Sequence, residues 1–558
     1  MCGIHFSLSH SENASPDKKT EELLINRGPD STGCRRCTID IPNLPPLYAT
    51  FTSTVLALRG LSVVAQPLQD PSSGSVLCWN GEAWSLGGQS IDGNDSHFIF
   101  KHLVQTCQQF SPDRRSEAIK VVVSLLASIR GPYAFLFYDA RHNYIFYGRD
   151  CLGRRSLLHS ANTDSLTLSS VCANRKANGG SSWEEVDADG IYYIDLVSRP
   201  LRPGHIPQRP CENADNPPEI AITLPFPSLN RSLPDGSCSS DPMHLRRLDA
   251  SLRRSIELRV KHVRESLGPS IEPAAEFPSQ VAILFSGGLD CTILARLAHD
   301  CLPLTERIDL LNVAFENPRV HAKLGPNESP YATCPDRITG RSSYAELRRV
   351  CPERLWRFVE VDVPYSETLS HRERILDLIY PHNTEMDLSI AYALYFASRG
   401  SGVVFDSDDQ ATAYTTSAHV LLSGLGADEL FGGYQRHSLA FARCGYEGLI
   451  DELELDFTRL GKRNLGRDDR VISDSGREVR FPYLDEDFIA VALEMPVTTK
   501  CDFGDEQVEL EPGKRILRML AWELGMEGVA KEKKRAIQFG ARTAKMETGR
   551  TKGTQIIS

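Results

Sequence analysis

The sequence predicts two unlike halves: an α+β domain built around antiparallel sheets, then an α/β domain built on a parallel sheet. Three observations carry this. Before residue 200 the apolar side chains fall in short runs rich in aromatic and β-branched residues, the composition of half-buried strands. After residue 242, continuous apolar runs alternate with helical patterns, as strands covered on both faces by helices do. Between them lie ten prolines from Pro200 to Pro242, set among Ser, Asn and Asp with few apolar residues. Such a stretch cannot build a core of its own and reads as a linker. The expected boundaries are a first domain over 1–199, a linker over 200–242, a second domain over 243–547 and a polar tail over 548–558.

In the first half the strand-like runs are Ser53 to Ala57, Val76 to Trp79, Tyr133 to Tyr138, Tyr144 to Tyr147 and Ile191 to Ile194. A helical pattern at Phe98, Leu103 and Ile119 to Ile129 lies among them. The second half opens with Leu245, Leu248, Leu252, Ile256, Val260, Val263 and Leu267, one apolar stripe of a long helix. That helix suits the core, a domain interface or a homodimer contact equally well. Val281 to Phe285 then runs into Ser286-Gly287-Gly288 and a helix-compatible Cys291 to Leu297, and Ile308 to Phe315, Phe358 to Val363 and Val420 to Leu422 are further strand candidates.

Composition narrows the function. The 558 residues carry 62 Lys+Arg against 73 Asp+Glu, a net −11 that argues against a nucleic-acid partner or a polybasic membrane binder. No apolar run approaches the roughly 18 residues of a membrane span. The N-terminus lacks the basic and apolar regions of a secretory signal, and the tail has no lipidation or peroxisomal ending. Fifteen cysteines without regular spacing suit a reducing compartment, so a soluble, cytoplasmic protein is expected. Cys34 and Cys37 form a C-x-x-C, but no second pair or nearby His completes a zinc site.

The first chemical constellation begins at Cys2. Removal of the initiator Met would leave its α-amino group, with a pKa of about 7.7–8.0, beside its own thiol, a base for a nucleophile without a separate histidine. A buried structural cysteine is the bland alternative. Further on stand Arg27-Gly28-Pro29-Asp30, Arg59 before Gly60-Leu61-Ser62, Asn80-Gly81-Glu82, and Asn94-Asp95. Taken singly, Asn80-Gly81 reads as a hairpin turn and Asp95 as part of a helix cap. In combination, over about residues 2 to 195, they resemble the class-II, N-terminal-nucleophile glutamine amidotransferases, which implies an αββα fold. The resemblance implies that Cys2 attacks the glutamine amide, that Asn80 and the Gly81 N–H form the oxyanion hole, that Arg59 holds the glutamine carboxylate, and that Glu82 and Asp95 hold its α-amino end. Gly131-Pro132-Tyr133-Ala134-Phe135 and Gly148-Arg149-Asp150-Cys151-Leu152-Gly153 match further segments of that family. Gly60 departs from it by adding a residue before Leu61-Ser62.

The second constellation is Ser286-Gly287-Gly288-Leu289-Asp290 between a buried strand and a helix, where glycines admit a polyphosphate and the helix N-terminus offers N–H donors. A tight strand-to-helix turn is the alternative reading. No Walker-type motif occurs. A second loop follows another strand, Ser423-Gly424-Leu425-Gly426-Ala427-Asp428-Glu429, and Asp290 and Asp428 both carry the oxygen ligands Mg²⁺ prefers. Asn464 to Arg470, Glu478 to Asp485 and Lys534 to Gly540 complete the set, though the basic residues around Lys534 also suit a solvated helix end. Together these resemble the synthetase domain of glutamine-dependent asparagine synthetases, closest to the asparagine synthetase domain-containing group, and imply an ATP-pyrophosphatase fold. The resemblance implies that Ser286, Gly287, Gly288 and Asp290 bind the ATP pyrophosphate, that Leu284, Ala314, Ser423 and Gly424 lie near the nucleoside or α-phosphate, and that Lys534 stabilises transition-state charge. It implies ATP, Mg²⁺, glutamine and aspartate as the small molecules used.

Two positions depart from that family. Cys291 stands where the loop usually ends in Ser, with Thr292 available to compensate, and Leu425 stands where synthetases carry Glu. Three readings follow: an asparagine synthetase, an amidotransferase that activates another carboxylic acid, and a non-catalytic protein that keeps glutamine or nucleotide binding.

Overall fold

The computed structural model describes residues 2–161, 165–173, 182–198, 200–210, 222–233, 242–261, 263, 278–325, 328–406, 408–504, 510–546 and 552–557. Leu267 of the long helical stripe and residues 548–551 and 558 of the tail lie outside the described residues. The chain divides into two compact units. The first comprises Met1–Leu224, Asp377–Pro381 and Leu460–Gly476, and the second comprises Pro225–Leu376, His382–Arg459 and Arg477–Ser558.

The first unit is built on two sheets, one of six strands and one of seven. The strand Gly3–Ser9 lies inside the six-stranded sheet, antiparallel to Leu47–Val55 on one side and Ser165–Ser169 on the other. Alternation along it divides its side chains: Ile4, Phe6 and Leu8 are buried against Val76, Cys78, Leu136 and Ile145 of the seven-stranded sheet. On the opposite side Gly3 lies against Leu24 of the helix Lys18–Arg27. The seven-stranded sheet turns Leu77, Trp79, Phe135 and Phe137 the other way, onto Ile99, Leu103 and Val122 of the helices Asp95–Gln108 and Arg115–Ala127. Helix, sheet, sheet and helices thus succeed one another; the expected Val76 to Trp79, Tyr133 to Tyr138, Tyr144 to Tyr147 and Ile191 to Ile194 fall in the seven-stranded sheet, whereas Ser53 to Ala57 overlaps only the end of Leu47–Val55. The stretch expected to be a linker contributes a strand, Pro203–Arg209, paired antiparallel with Gly190–Asp195. Its pairing survives the prolines because Ile206 buries in the sheet and His205 stacks on Tyr192 at 4.6 Å. Residues 211–221 and 234–241 of that stretch lie outside the described residues.

The second unit is a seven-stranded sheet in the order Ala411–Thr415, Ser401–Phe405, Trp356–Val363, Ile308–Phe315, Val281–Leu284, Val420–Leu422, Glu478–Arg480. The last five strands in that order are parallel, and the first two form an antiparallel hairpin at the edge. Ile308–Phe315 is buried along its whole length, which is why it reads as an unbroken apolar run. The chain runs outward from Val281–Leu284 to one side, then returns to place Val420–Leu422 on the other. That reversal is a topological switch point, where a cleft opens beyond the strands' C-terminal ends. No described helix is long and apolar enough to cross a membrane.

Candidate active sites

Cys2 lies at the head of the strand Gly3–Ser9, its side chain buried, and that strand packs beside Val76–Gly81. Its carbonyl accepts a hydrogen bond from Arg27 Nε at 3.3 Å, while the next N–H, of Gly3, donates to Thr54 Oγ1 at 3.1 Å. Asn80 and Gly81 close the strand Val76–Gly81 against Ala134 and Tyr133. Gly81 is required by close approach, since a Cβ there would collide with the Pro132 carbonyl oxygen. Asn80 is 0 % exposed, and neither its amide nitrogen nor its amide oxygen has a hydrogen-bond partner. A buried amide left unsatisfied costs about 1–3 kcal/mol.

The remaining sequence-predicted residues of this site converge behind Asn80. Asp95 Oδ2 accepts from Trp79 Nε1 at 2.9 Å and from the Ala83 N–H at 2.8 Å, which ties the strand end to the helix that Asn94 caps. Burial raises the Asp95 carboxyl pKa, opposed by nearby Arg59. Arg59 donates to the carbonyls of Ala83 at 2.9 Å and Ile91 at 2.5 Å and pairs with Glu82 at 3.4 Å, with Trp84 stacked 5.7 Å away. In this conformation the guanidinium grips the backbone after Glu82.

The second candidate site forms at the switch point. The strands Val281–Leu284 and Val420–Leu422 are parallel neighbours, so the loops that leave them, Ser286 to Asp290 and Ser423 to Asp428, emerge side by side. Leu284 ends the first of these strands and Ala314 lies buried in Ile308–Phe315. Gly287 adopts φ +81°, and a Cβ there would strike the backbone of Gly340. Ser343 Oγ donates to the Gly287 carbonyl at 2.6 Å, and Asn312 Nδ2 donates to the Phe285 carbonyl at 2.9 Å, which fixes the loop from behind. The helix Leu289–Cys301 begins at Gly288 with no side-chain cap, so its first N–H groups face the loop.

Asp290 and Asp428 meet at a residue that the sequence reading passed over. Lys514 Nζ lies 2.6 Å from Asp290 Oδ2 and 2.6 Å from Asp428 Oδ1, and Lys534 Nζ reaches Asp428 Oδ2. Lys514 sits in left-handed backbone (φ 57°) just before the helix Arg515–Glu523. The Pro512-Gly513 turn ahead of that helix was the only signal, and it said nothing about the lysine's direction. Burial works to raise the Asp428 carboxyl pKa, but the two ammonium groups outweigh it and hold it below the ordinary range. Burial likewise opposes the Lys534 charge, and Asp428 and Asp290 together push its pKa up. Asp290 Oδ1 is buried without a hydrogen-bond partner. An orphaned carboxylate oxygen beside a second carboxylate is a hard donor set that fits Mg²⁺.

The departures also have a geometry. The Cys291 thiol donates to the Gly288 carbonyl at 3.3 Å, and the Thr292 hydroxyl donates to the same oxygen at 2.8 Å. Thr292 is thereby turned into its own helix, so the compensation expected of it at the phosphate loop is not seen. Leu425 is half-buried, with its N–H on Ser423 Oγ at 3.3 Å. Glu429, the next carboxylate but one in that loop, pairs with the Tyr434 hydroxyl at 2.6 Å, and burial with the neighbouring Asp428 raises its pKa to about 7. Asn464 to Arg470 does not join this site: the helix Leu465–Ser473 belongs to the first unit.

Two sites of this kind on one chain define a glutamine amidotransferase joined to an asparagine-synthase-type domain. Residues 1–194 match the glutamine amidotransferase domain family and residues 444–553 match the asparagine synthase family. Asparagine synthetase domain-containing protein 1 of Bos taurus is 36 % identical, over 100 % of this chain and 99 % of its own length. The protein of the same name from Homo sapiens is 34 % identical, over 98 % and 96 %. A putative glutamine-hydrolysing asparagine synthetase of Methanocaldococcus jannaschii is 25 % identical, over 88 % and 83 %. The chain belongs to the asparagine synthetase domain-containing protein 1 family.

Proposed function

We propose that this protein is a glutamine-hydrolysing, ATP-dependent amide synthetase whose acceptor is aspartate. With the initiator Met removed, the Cys2 α-amino group takes the thiol proton and the thiolate attacks the glutamine amide carbon. Charge develops on the amide oxygen, where the unpartnered Asn80 amide and the Gly81 N–H donate. Ammonia leaves, and water hydrolyses the Cys2 thioester to release glutamate. Arg59, Glu82 and Asp95 bind the glutamine's carboxylate and amino end.

In the second step the aspartate β-carboxylate attacks the ATP α-phosphorus, forms an acyl-adenylate and releases pyrophosphate. Ammonia then displaces AMP and gives asparagine. Ser286, Gly287, Gly288 and the first N–H groups after them bind the pyrophosphate, and Leu284, Ala314, Ser423 and Gly424 lie by the nucleoside. Lys534 offsets charge on the transferring group. Asp290 and Asp428 would hold Mg²⁺, which neutralises phosphate charge when bound. The observation that carries this reading is the convergence of Asp290, Asp428, Lys514 and Lys534 beyond two adjacent parallel strands.

Leu425 favours a second reading, in which glutamine and nucleotide bind but transfer to aspartate fails, or another acid is activated. Amide-¹⁵N glutamine, aspartate and Mg-ATP, incubated with the wild type, Cys2→Ala and Asp290→Ala, separate the two. Labelled asparagine that is lost in both variants supports the synthetase. Labelled ammonia without asparagine or pyrophosphate overturns it for aspartate.

A further inference from the structure

We propose that Asp469 is a positioning residue for the Cys2 nucleophile and acts through Arg27, an inference that rests on the glutaminase reading above. The helix Leu465–Ser473 comes from far along the chain, yet it packs within the first unit. Its Asp469 Oδ2 accepts from Arg27 Nη2 at 2.8 Å, with both side chains at most 1 % exposed. One turn on, Ser473 Oγ accepts from Arg27 Nη1 at 2.5 Å. The third edge of the same guanidinium, Nε, donates to the Cys2 carbonyl. Asp469 is itself held: Oδ2 takes the Ser156 N–H at 3.1 Å and Oδ1 lies 3.5 Å from Arg155.

The consequence falls on one peptide plane. The Cys2–Gly3 unit is pinned at its carbonyl by Arg27 and at its N–H by Thr54 Oγ1, whose own hydroxyl donates to the Leu24 carbonyl at 2.6 Å. Pinning that plane at both ends fixes the Cys2 Cα and the Cα–C axis about which its amino group and thiol turn. A planar guanidinium with three separately engaged nitrogens transmits orientation, where an ammonium would transmit charge alone. Arg27 cannot hold that plane without its own fork being set by Asp469 and Ser473. Both contacts come from the helix Leu465–Ser473, so the nucleophile's geometry depends on a segment of the later sequence.

The test uses full-length protein: wild type, Asp469→Asn, Ser473→Ala and Asp474→Asn. Asp474 follows the same helix and accepts from Asn26 Nδ2 at 3.2 Å. Glutaminase kcat and KM are measured beside the thermal midpoint and the rate of Cys2 alkylation by iodoacetamide, read by mass on the N-terminal peptide. Misplaced reacting groups cost up to roughly 100-fold, so Asp469→Asn should lower kcat about 10- to 100-fold with KM within about threefold. Alkylation of Cys2 should change with it, and Asp474→Asn should match the wild type. Ser473→Ala keeps the charge pair and should lower kcat by a smaller factor, which decides the matter if Asp469→Asn does not fold. Wild-type kcat in both folded variants, or an equal loss in Asp474→Asn, overturns the proposal. A wild type that hydrolyses no glutamine refutes the glutaminase reading alone, since Cys2 alkylation in the variants still reports on its positioning.

Discussion

Asn80→Ala separates a catalytic amide from a structural one. The side chain is fully buried, and both polar atoms of its amide lack a protein partner. Truncation therefore breaks no hydrogen bond within the protein. It relieves an unsatisfied amide worth about 1–3 kcal/mol and opens a small void, at about 24 cal/mol per Å³ of residual cavity. For a cavity of roughly 50 Å³ the second effect is about 1 kcal/mol, so the two nearly cancel and net stability should change by about 1 kcal/mol or less. Catalysis has no such compensation. Loss of one oxyanion donor costs about 10²–10³ in kcat, or about 2.7–4 kcal/mol of transition-state stabilisation. Ammonia release from glutamine gives kcat, and urea unfolding gives stability. A variant that loses about 3 kcal/mol of stability but keeps its kcat would show that Asn80 serves the fold, and would refute the oxyanion assignment.

Lys514→Met leaves two carboxylates facing each other without their bridging ammonium and should cost on the order of 3 kcal/mol, together with pyrophosphate release. Because the Asp428 pKa is held below its unfolded value, the stability it confers is present above about pH 4 and lost as the pH falls through the folded value. Lys514→Met should shrink that acid-side loss in a pH series of urea midpoints, and an unchanged profile would exclude Lys514 as its source. Asp336 has the opposite sign: burial, opposed by Arg535 and Lys534, raises its pKa from 3.8 to about 7. The folded state then holds the extra proton between those values, so stability falls as the pH rises from about 4 to about 7, and Asp336→Asn should flatten that slope. Gly287→Ala places a Cβ against the Gly340 backbone at positive φ, and should abolish ATP-dependent pyrophosphate release with little effect on glutaminase kcat. Leu425→Glu should raise the yield of asparagine per pyrophosphate, and an unchanged ratio would show that the missing carboxylate is not what limits transfer.

The fold was legible where strands are buried along their whole length, whereas of the six-stranded sheet only Ser53 to Val55 was read. Ile308 to Phe315 and Val420 to Leu422 read as strands and are strands with those same bounds. The proline-rich stretch was less legible, since a linker reading weighs composition, whereas Pro203–Arg209 is held by a single buried Ile206 and a stacked His205. Site residues on sharp glycine loops showed themselves through local chemistry, as Asn80-Gly81 and Ser286 to Asp290 do. Lys514 and Asp469 did not, for a common physical reason. Each acts through a partner hundreds of residues away or across a turn, Lys514 on Asp290 and Asp469 on Arg27, and no local spacing encodes such a pair.

The second site separates charge chemistry from proton chemistry. On the proposed reading Asp290, Asp428, Lys514 and Lys534 handle phosphate charge, and ion pairs link the four. What the loop lacks at Leu425 is the carboxylate that the proposed reading would put beside the acceptor. Glu429 is engaged elsewhere, its carboxylate accepting from the Tyr434 hydroxyl at 2.6 Å. General acid–base help is worth about 10²–10⁴-fold, and its loss falls on the attack of ammonia rather than on adenylation. On the proposed reading such an enzyme would activate its acid faster than it aminates it, and water would then compete for the adenylate. The ratio of pyrophosphate to asparagine is therefore the quantity in which Leu425 expresses itself, and a ratio of one in the wild type would mean that ammonia needs no carboxylate there.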